Sequence, residues 1–533
     1  MKKYKIILSL LLAVLWSGFL FPSGKGNFKI ALIYPSLTKD VLYKTNSEFK
    51  PTEEWELFFL SKNYDYEMLN DDELDDISSE VSVIVVPSME AASEDMLVEL
   101  RQLIDDGKGI LITGSFAEFD VNGNRRTRSK DIMPGFDIKR AGMDKKLSVN
   151  HFIEGSTPFS IGLKPGQKIL LSTSPALFYA AGLSGNSNPE GNYILSDQEL
   201  PGIVSNHISN QKLLWFGFSL SQLIDNNRDT LLFNSLKWLS SQPEAFFNYW
   251  PGQYGFSVVL YKDIERSSDF DSTAVLKDTV KGLNYFISPS FLDNFPSLFK
   301  NISESGDINI AWDDFLFSRL DPDEKTSRLK KIREQINEST GQNHFGVSTY
   351  GEFNDSDIYR LLTETGYSFV FSSGYSDSYS FDYDTTNNLY LFYRPFVGEM
   401  QQIRKSNVDA GGILYVDTDS TGKDIYSLLT SQNCWITTFS GLIEWAEKRK
   451  NLSITINNSE SGKYEVNIKN NNASDVQNAG VWISIPHLND KIKISVAGHG
   501  RELIFDDSQK MYFLKLSLIG GYQEISFKVP EKD

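Results

Sequence analysis

Two carboxylates stand two residues apart where an apolar run ends in the middle of the chain. The run is Ser257-Val-Val-Leu-Tyr-Lys-Asp-Ile-Glu265, so Asp263 and Glu265 form an Asp-x-Glu arrangement. A third carboxylate, Asp417, ends the later run Leu414-Tyr-Val-Asp417. A carboxylate can take a proton from water, and two carboxylates at a defined separation can cleave a glycosidic bond. The sequence does not fix that separation, so these side chains are candidate acid–base residues.

Side chains that bind transition metals are scarce. The single cysteine, Cys434, excludes an intrachain disulfide and a cysteine-rich zinc or iron–sulfur site. Of five histidines only His344 lies between residues 246 and 448, and one imidazole cannot build a zinc site. Asp313 and Asp314 could hold a hard cation through oxygen ligands, although two solvated loop aspartates are the simpler interpretation. We therefore predict no cofactor and no metal.

Length and charge limit the class of protein. A chain of 533 residues is too long for one core, and three domains are expected. The net charge is −18, which repels nucleic acid phosphates and anionic lipid, so neither is an expected partner. Aromatic residues make up 13% of the chain, which favours β-rich cores over dedicated sugar-stacking surfaces.

The first 26 residues have the pattern of an export signal. Lys2, Lys3 and Lys5 precede an apolar run from Ile6 to Phe21, which is short for a membrane span. We predict an exported protein of the periplasm or cell envelope. The alternative is an uncleaved N-terminal anchor, and only that alternative would give the protein a membrane partner.

The first predicted domain, residues 27–245, alternates strands with helices. Apolar runs at Phe28–Tyr34, Val81–Val86 and Ile110–Thr113 have the length of buried strands, and Asp95–Ile104 has helical spacing. This alternation predicts a parallel sheet covered by helices.

That order, together with Leu213–Phe218 leading into Leu231–Trp238, resembles the class I glutamine-amidotransferase-like fold. The resemblance implies a nucleophilic cysteine at a strand-to-helix turn, but the matching turn here is Gly114-Ser115. Ser115 lacks a G-x-S-x-G elbow. The domain is therefore predicted to be a non-catalytic amidotransferase-like α/β sandwich.

A second domain is predicted at 246–448, after a linker rich in proline and glycine near 242–252. Its stretch Asn284–Ser288, followed by Phe295–Gly306, resembles the polysaccharide deacetylase family. Three further segments resemble the family's first and third motifs and its closing helix: Ser257–Glu265, Phe345–Asn354 and Trp435–Arg449. The resemblance implies a (β/α) barrel that uses a metal, bound by one aspartate and two histidines, to activate water for deacetylation.

At the positions that the resemblance assigns to the chemistry, most residues are of the wrong type. Asp263 matches the catalytic base, while the second carboxylate is replaced by Ile264 or displaced to Glu265. By offset from Gly306, the two histidine positions hold Trp312 and Leu316, neither of which binds zinc.

Two supporting positions are also changed. The third-motif arginine corresponds to Val347, and the last-motif histidine corresponds to Asp417. The resemblance therefore implies a pseudoenzyme with a degenerate metal site.

Residues 449–533 form the third predicted domain. Six short segments alternate at period two with Asn, Ser and Gly between them, which is typical of a β-sandwich. The predicted fold class is thus α/β multidomain: amidotransferase-like sandwich, deacetylase-like (β/α) barrel, then C-terminal β-sandwich.

Three functional interpretations remain open. The first is a non-catalytic envelope protein that binds a polysaccharide or a protein partner in the barrel groove, with Tyr261, Trp312 and Tyr350 as stacking faces. In it Asp263, Glu265 and Asp417 would accept hydrogen bonds from hydroxyls. The second is an active carbohydrate hydrolase or deacetylase acting through Asp263 and Glu265 with a non-standard site. The third is a purely structural envelope protein.

Overall fold

The structure, a computed structural model, describes a large part of the chain. The described residues are 28–46, 49–126, 138–144, 150–153, 157–172, 178–183, 187–195, 198–208, 211–265, 269, 282–294, 306–349, 356–373, 380–394, 411–418, 433–459, 463–485, 492–496, 499–507, 509–521 and 523–530. The predicted signal, Tyr350 and residues 295–305 lie outside them. Within the described part, no helix is long and apolar enough to cross a membrane.

These residues form a mixed α/β protein with several sheets, one of them curled into a half-barrel. The strands of the first half of the chain are β1 (Lys29–Tyr34), β2 (Asp65–Asn70), β3 (Val81–Pro87), β4 (Gly109–Thr113), β5 (Ile138–Asp144), β6 (Asn150–Ile153), β7 (Gln167–Leu170), β8 (Phe178–Leu183), β9 (Ser187–Leu195), β10 (Gln198–Ile208), β11 (Gln211–Phe216) and β12 (Glu244–Phe247). Those that follow are β13 (Phe256–Ile264), β14 (Leu283–Ile287), β15 (Gly306–Ala311), β16 (Gly346–Ser348), β17 (Phe369–Ser373), β18 (Asp382–Asp384), β19 (Leu389–Arg394), β20 (Ile413–Asp417), β21 (Cys434–Thr437), β22 (Leu452–Ser459), β23 (Lys463–Asn470), β24 (Val476–Ser484), β25 (Ile492–Val496), β26 (His499–Asp506), β27 (Met511–Leu518) and β28 (Gln523–Pro530). The α-helices are α1 (Ser36–Leu42), α2 (Glu53–Lys62), α3 (Glu94–Asp105), α4 (Arg228–Leu239), α5 (Pro289–Asn294), α6 (Asp314–Phe317), α7 (Pro322–Thr340), α8 (Ser356–Glu364) and α9 (Phe439–Lys450).

The N-terminal sheet has nine strands in the order β2-β1-β3-β4-β11-β10-β9-β6-β7. The first five are parallel, as the alternation of apolar runs and helices predicts. From β10 onward the sheet is antiparallel, a half that the sequence analysis did not predict. Pro201 and Gly202 interrupt the period-two pattern of β10, and its register with β9 shifts there.

The half-barrel has the strand order β18-β19-β17-β16-β15-β14-β13-β20, with β21 also beside β13. All of these strands run parallel to their neighbours except β18. Among the described residues no pairing joins β19 to β20, so the sheet is curled but open. Side chains alternate along each strand: Val259 and Tyr261 face the interior, whereas Val258 and Leu260 pack with residues of the covering helices.

Aromatic side chains fill the interior of the half-barrel. Phe371 lies 5.0 Å from Phe439 and 5.6 Å from Phe286 between ring centroids. Gly346 leaves room for the ring of Phe369, since a β-carbon there would lie 2.0 Å from that ring. The interior is therefore a packed, largely aromatic core.

The C-terminal part has two antiparallel sheets, β12-β24-β27-β26-β25 and β22-β23-β28. Between Leu452 and Pro530 the described residues form strands and no helix, and β26 is a strand that the sequence analysis did not predict. The predicted linker is partly ordered as β12, which pairs with β24 through Phe246 and Trp482. The chain therefore contributes a strand to its last sheet before it enters the half-barrel.

Candidate functional site

The carboxyl ends of the parallel strands carry polar side chains. Asp263 is the last but one residue of β13, and Ser348, Arg394 and Asp417 end β16, β19 and β20. Because parallel strands end at one edge of their sheet, these residues meet at the mouth of the half-barrel.

Arg394 organises this mouth. Its Nη1 donates to Asp263 Oδ2 at 3.1 Å, and its Nη2 donates to Ser348 Oγ at 2.7 Å and to Asp263 Oδ1 at 3.5 Å. The side chains of Arg394 and Asp263 are only 10% and 16% exposed, so the pair is largely shielded from water. Shielding strengthens the attraction between the two charges, and good geometry with hydrogen bonds is needed to offset the cost of removing both from water.

Two aromatic rings support the guanidinium from below. The carbon Cζ of Arg394 lies 4.9 Å from the ring centroid of Tyr261 and 4.8 Å from that of Phe371. Tyr261 is buried, and its ring packs edge to face against Phe371. These contacts add cation–π attraction to the ion pair. The stacking face that the sequence analysis assigns to Tyr261 is therefore occupied by Arg394 in this structure.

Asp417 and Glu265 lie at the same mouth in different settings. Asp417 pairs in register with Tyr261 and follows the interior residues Ile413 and Tyr415 at period two. Its side chain therefore belongs to the interior face, where it is partly exposed. Glu265 is exposed just beyond β13. The structure thus brings Asp263 and Asp417 to one mouth, while Glu265 extends into solvent.

The two positions that the resemblance assigns to histidines are apolar contacts. Trp312 stacks on Phe317 at 4.3 Å between centroids and packs with the core outside the sheet. Leu316 lies half-buried in α6, and its backbone N–H donates to Asp313 Oδ1 at 3.0 Å. Asp313 therefore caps the short helix α6.

No metal centre is evident in the described part of the chain. Among those residues there is no group of three or more His, Cys, Asp and Glu side chains able to hold an ion. His344 precedes β16, so it lies at the opposite end of the sheet from Asp263. The predicted role of Tyr350 stays a prediction, because that residue lies outside the described ranges.

Ser115 lies just after β4, at the carboxyl end of the N-terminal sheet. Its hydroxyl donates to the carboxylate of Glu118, and both side chains are buried. Arg125 Nη2 lies 3.6 Å from the other oxygen of Glu118. Ser115 is thus bonded to an acidic group in a closed local network.

Arg394 is a candidate site residue that the sequence pattern did not single out. Its local signal is the segment Leu389-Tyr-Leu-Phe-Tyr-Arg394, which alternates at period two after an Asn-Asn turn and ends in a charge. The resemblance assigns the arginine to position 347. Val347 lies on β16, and its side chain is buried on the outer face of the sheet, in the core formed with the helices. An arginine does reach Asp263, but from a different strand.

Comparisons with known proteins give distant likenesses only. No family model matches the chain, and no curated protein matches it. A candidate polysaccharide deacetylase from Mycobacterium smegmatis is 14% identical over 38% of this chain and 93% of its own, with a TM-score of 0.30. A candidate ThuA-like protein from Bacteroides uniformis is 11% identical over 42% of this chain and 96% of its own, with a TM-score of 0.30.

A β-galactosidase from Bacillus circulans is 13% identical over 40% of this chain, with a TM-score of 0.31. The match spans 31% of the β-galactosidase's own length. At such scores these likenesses carry no argument about activity.

Proposed function

We propose that this chain is an exported glycan-binding protein whose deacetylase-like half-barrel does not carry out metal-dependent deacetylation. In this proposal residues 27–245 are an amidotransferase-like unit without a nucleophile. Residues 246–448 are the deacetylase-like unit, and residues 449–533 are a β-sandwich. The ligand site is the mouth of the half-barrel.

The ion pair between Asp263 and Arg394 is the observation that carries the proposal. Both oxygens of Asp263 face the guanidinium, and the pair is nearly closed off from water. A general base must reach the water molecule from which it takes a proton. A carboxylate whose two oxygens are both directed at Arg394 is poorly placed for that task and well placed to orient the arginine.

The residues at the ligand positions also support a non-catalytic role. An indole packed on Phe317 and a leucine side chain offer no lone pair to zinc, so Trp312 and Leu316 cannot replace two imidazoles. Without a bound metal the Lewis-acid contribution of several kcal/mol to deacetylation is lost. Asp417 would add negative charge near a developing oxyanion, which opposes the reaction.

The mouth nevertheless has the chemistry to hold hydroxyl groups. Asp417, which is partly exposed, and Glu265, which is exposed, supply hydrogen-bond acceptors at the edge of the sheet where the buried pair of Asp263 and Arg394 lies. Trp312 follows β15 directly and is partly exposed, so its indole is an aromatic surface on which a sugar ring could pack.

Binding and turnover should be measured on the same preparation. We expect the full chain to bind at least one oligosaccharide on a glycan array, and Trp312→Ala to weaken that binding. Tyr254→Ala is the matched control, because Tyr254 is an exposed aromatic residue away from the mouth. Failure to bind any glycan would favour a purely structural role.

Acetate release decides the catalytic half of the proposal. We expect none above background from acetylated chitooligosaccharides or xylan with added zinc, cobalt or nickel. Metal-stimulated release that a chelator removes and Asp263→Asn abolishes would contradict the proposal.

Export is tested separately, by cell fractionation. A full-length protein that stays soluble in the cytoplasm would refute the predicted export.

A further inference from the structure

A cavity away from the mouth of the half-barrel lies where the three parts of the chain meet. It has a volume of about 520 Å³. Its walls come from residues 157–164 of the N-terminal part, from β12 and the loop after it, from β18 and β19, and from α9 with the start of β22. Cavities of about 300–1,000 Å³ are the usual size for small-ligand sites. None of the residues that line it belongs to the mouth described above.

Aromatic rings form much of the wall. Tyr249 and Trp445 are joined by a hydrogen bond from Trp445 Nε1 to the carbonyl oxygen of Tyr249 at 2.8 Å. Tyr383 and Tyr390 lie opposite in the same cavity, with ring centroids 4.8 Å apart. The phenolic oxygen of Tyr249 is 3.0 Å from Ser380 Oγ, which fixes the orientation of its ring. The wall is therefore preorganised.

The cavity is also lined by cations, although the chain has a net charge of −18. Arg449 lies with its Cζ 4.5 Å from the ring centroid of Tyr249, and Lys450 lies with its Nζ 4.3 Å from that of Tyr383. Among the described residues, no carboxylate lies within 4.0 Å of either cation. Lys164 differs, because its Nζ bonds to Asp382 at 2.7 Å.

Arg449 is the more unusual of the two. Its Nε is buried and has no hydrogen-bond partner among the described residues. Burial lowers the pKa of Arg449, yet a guanidinium remains protonated in proteins. Arg449 as a whole is partly buried, and a guanidinium in such a setting without an anion beside it carries a desolvation cost that a bound anion would offset. The arginine is therefore a charged group with an unused donor, held in a cavity large enough for a ligand.

We propose that this cavity binds a uronic acid residue of an acidic saccharide, with its carboxylate on Arg449 and Lys450 and its ring against the tyrosines. The planar fork of arginine matches a carboxylate in shape, and lysine adds a point charge beside it. The apolar face of a sugar ring packs on aromatic side chains, whereas a free inorganic anion uses none of that surface. This site does not depend on glycan binding at the mouth.

Calorimetric titration of the full chain can test the site with defined probes. The probes are trimers of glucuronate, galacturonate and mannuronate, each beside the neutral trimer of the same sugar, and inorganic sulfate alone. We expect at least one uronate trimer to bind at least about tenfold more tightly than its neutral counterpart and than sulfate. Raising the salt concentration should weaken that binding.

Variants test whether the uronate binds in this cavity or elsewhere on the protein surface. Arg449→Met should weaken the uronate by about tenfold or more, and Lys450→Met, at an exposed position, should weaken it less. Arg360→Met is the matched control, since Arg360 is an exposed helical arginine elsewhere, and it should leave binding unchanged. Trp312→Ala should also leave it unchanged, which distinguishes this site from the mouth.

Three results would overturn the proposal. They are equal binding of the neutral trimer, binding of sulfate as tight as that of the uronate, and the absence of binding by all three uronates. Should Arg449→Met fail to fold, Lys450→Met and the salt dependence still decide the question.

Discussion

Arg394 Nη1 lies 3.1 Å from Asp263 Oδ2, although 131 residues separate the two along the chain. Asp263 is on β13 and Arg394 is on the distant strand β19, so their pair bridges the interior of an open sheet. Ser348 joins them from β16. This bridge links strand ends across a half-barrel whose edge strands are not hydrogen-bonded to each other in the described residues.

Breaking the pair from one side should destabilise the protein. Asp263→Leu leaves the guanidinium of Arg394 buried without its carboxylate, and we expect the free energy of unfolding to fall by about 3 kcal/mol. Arg394→Met should cost a similar amount, while the double variant should recover at least about 1 kcal/mol of the summed loss. Urea denaturation of the four proteins measures this coupling. Lys50→Met, which breaks the exposed pair with Glu53, should change stability by less than about 1 kcal/mol. Additive losses would argue against the bridge.

The interior packing of the half-barrel should not tolerate a β-carbon at Gly346. That atom would lie 2.0 Å from the ring of Phe369, which is itself packed on Phe439. We expect Gly346→Ala to lower the free energy of unfolding by about 2 kcal/mol through overpacking. The matched control is Gly500→Ala, where no atom lies within 4 Å of the added carbon. Equal stability of the two variants would show that the ring of Phe369 can move aside.

A buried lysine should make stability depend on pH. Lys212 Nζ donates to the carbonyl oxygen of Trp238 at 2.8 Å, and burial lowers the pKa of Lys212 from 10.5 to about 8 although the charge of Glu244 opposes the shift. Above pH 8 the folded state releases this proton, while the unfolded chain keeps it up to pH 10.5. The unfolded state therefore binds more protons in that window, and the contribution of Lys212 to stability rises with pH there.

We expect the free energy of unfolding of the unchanged protein, relative to Lys212→Met, to rise by about 2 kcal/mol between pH 7.5 and pH 10. Denaturant unfolding at each pH gives this difference, and the variant removes the contribution of all other groups. A difference that is flat or falls with pH would mean that Lys212 remains charged in the folded protein.

The junction between the N-terminal part and the half-barrel should depend on one amide. Asn248 Nδ2 lies 3.0 Å from each of the carbonyl oxygens of Trp250, Gly252 and Tyr254, and its Oδ1 accepts from Trp482 Nε1 at 3.1 Å. We expect Asn248→Ala to cost about 2–3 kcal/mol, because several buried polar groups lose their partner.

Limited proteolysis offers a second measure of this junction, since loosening should expose residues near 248–254 to cleavage. Asn294→Ala serves as control, because the hydrogen bond from its Nδ2 to the carbonyl oxygen of Ser290 is exposed and its loss should change stability by less than about 0.5 kcal/mol. If Asn248→Ala changed neither proteolysis nor stability, the junction would be held by the pairing of β12 with β24 and not by this amide.

The N-terminal part should release no ammonia from glutamine. The hydroxyl of Ser115 donates to the buried carboxylate of Glu118, and no elbow presents it to a substrate. Ammonia measured by a coupled assay should equal the buffer background, with or without Ser115→Ala. Release that this substitution abolishes would contradict the prediction.

Elements that depend on a local pattern can be predicted from the amino-acid sequence. The apolar runs of β1, β3, β4 and β13 are found as strands, and the helical spacing of α3 is found as a helix. Such elements can be predicted because burying one face of a strand or helix requires apolar residues at a regular spacing, and that spacing is visible within a short segment. The carboxylates at the end of β13 and β20 follow from the same logic, since each closes an apolar run.

Contacts between elements far apart in the chain could not be predicted from local patterns. The pairing of β12 with β24, the antiparallel half of the N-terminal sheet and the contact of Arg394 with Asp263 join segments far apart in the chain. No local period encodes these contacts, because strand order and register depend on how whole sheets pack. Arg394 illustrates the difference: the strand pattern around it is visible in the sequence, but its partner is not. The partner is set by the curl of the half-barrel, which brings the ends of β13, β16 and β19 to one mouth.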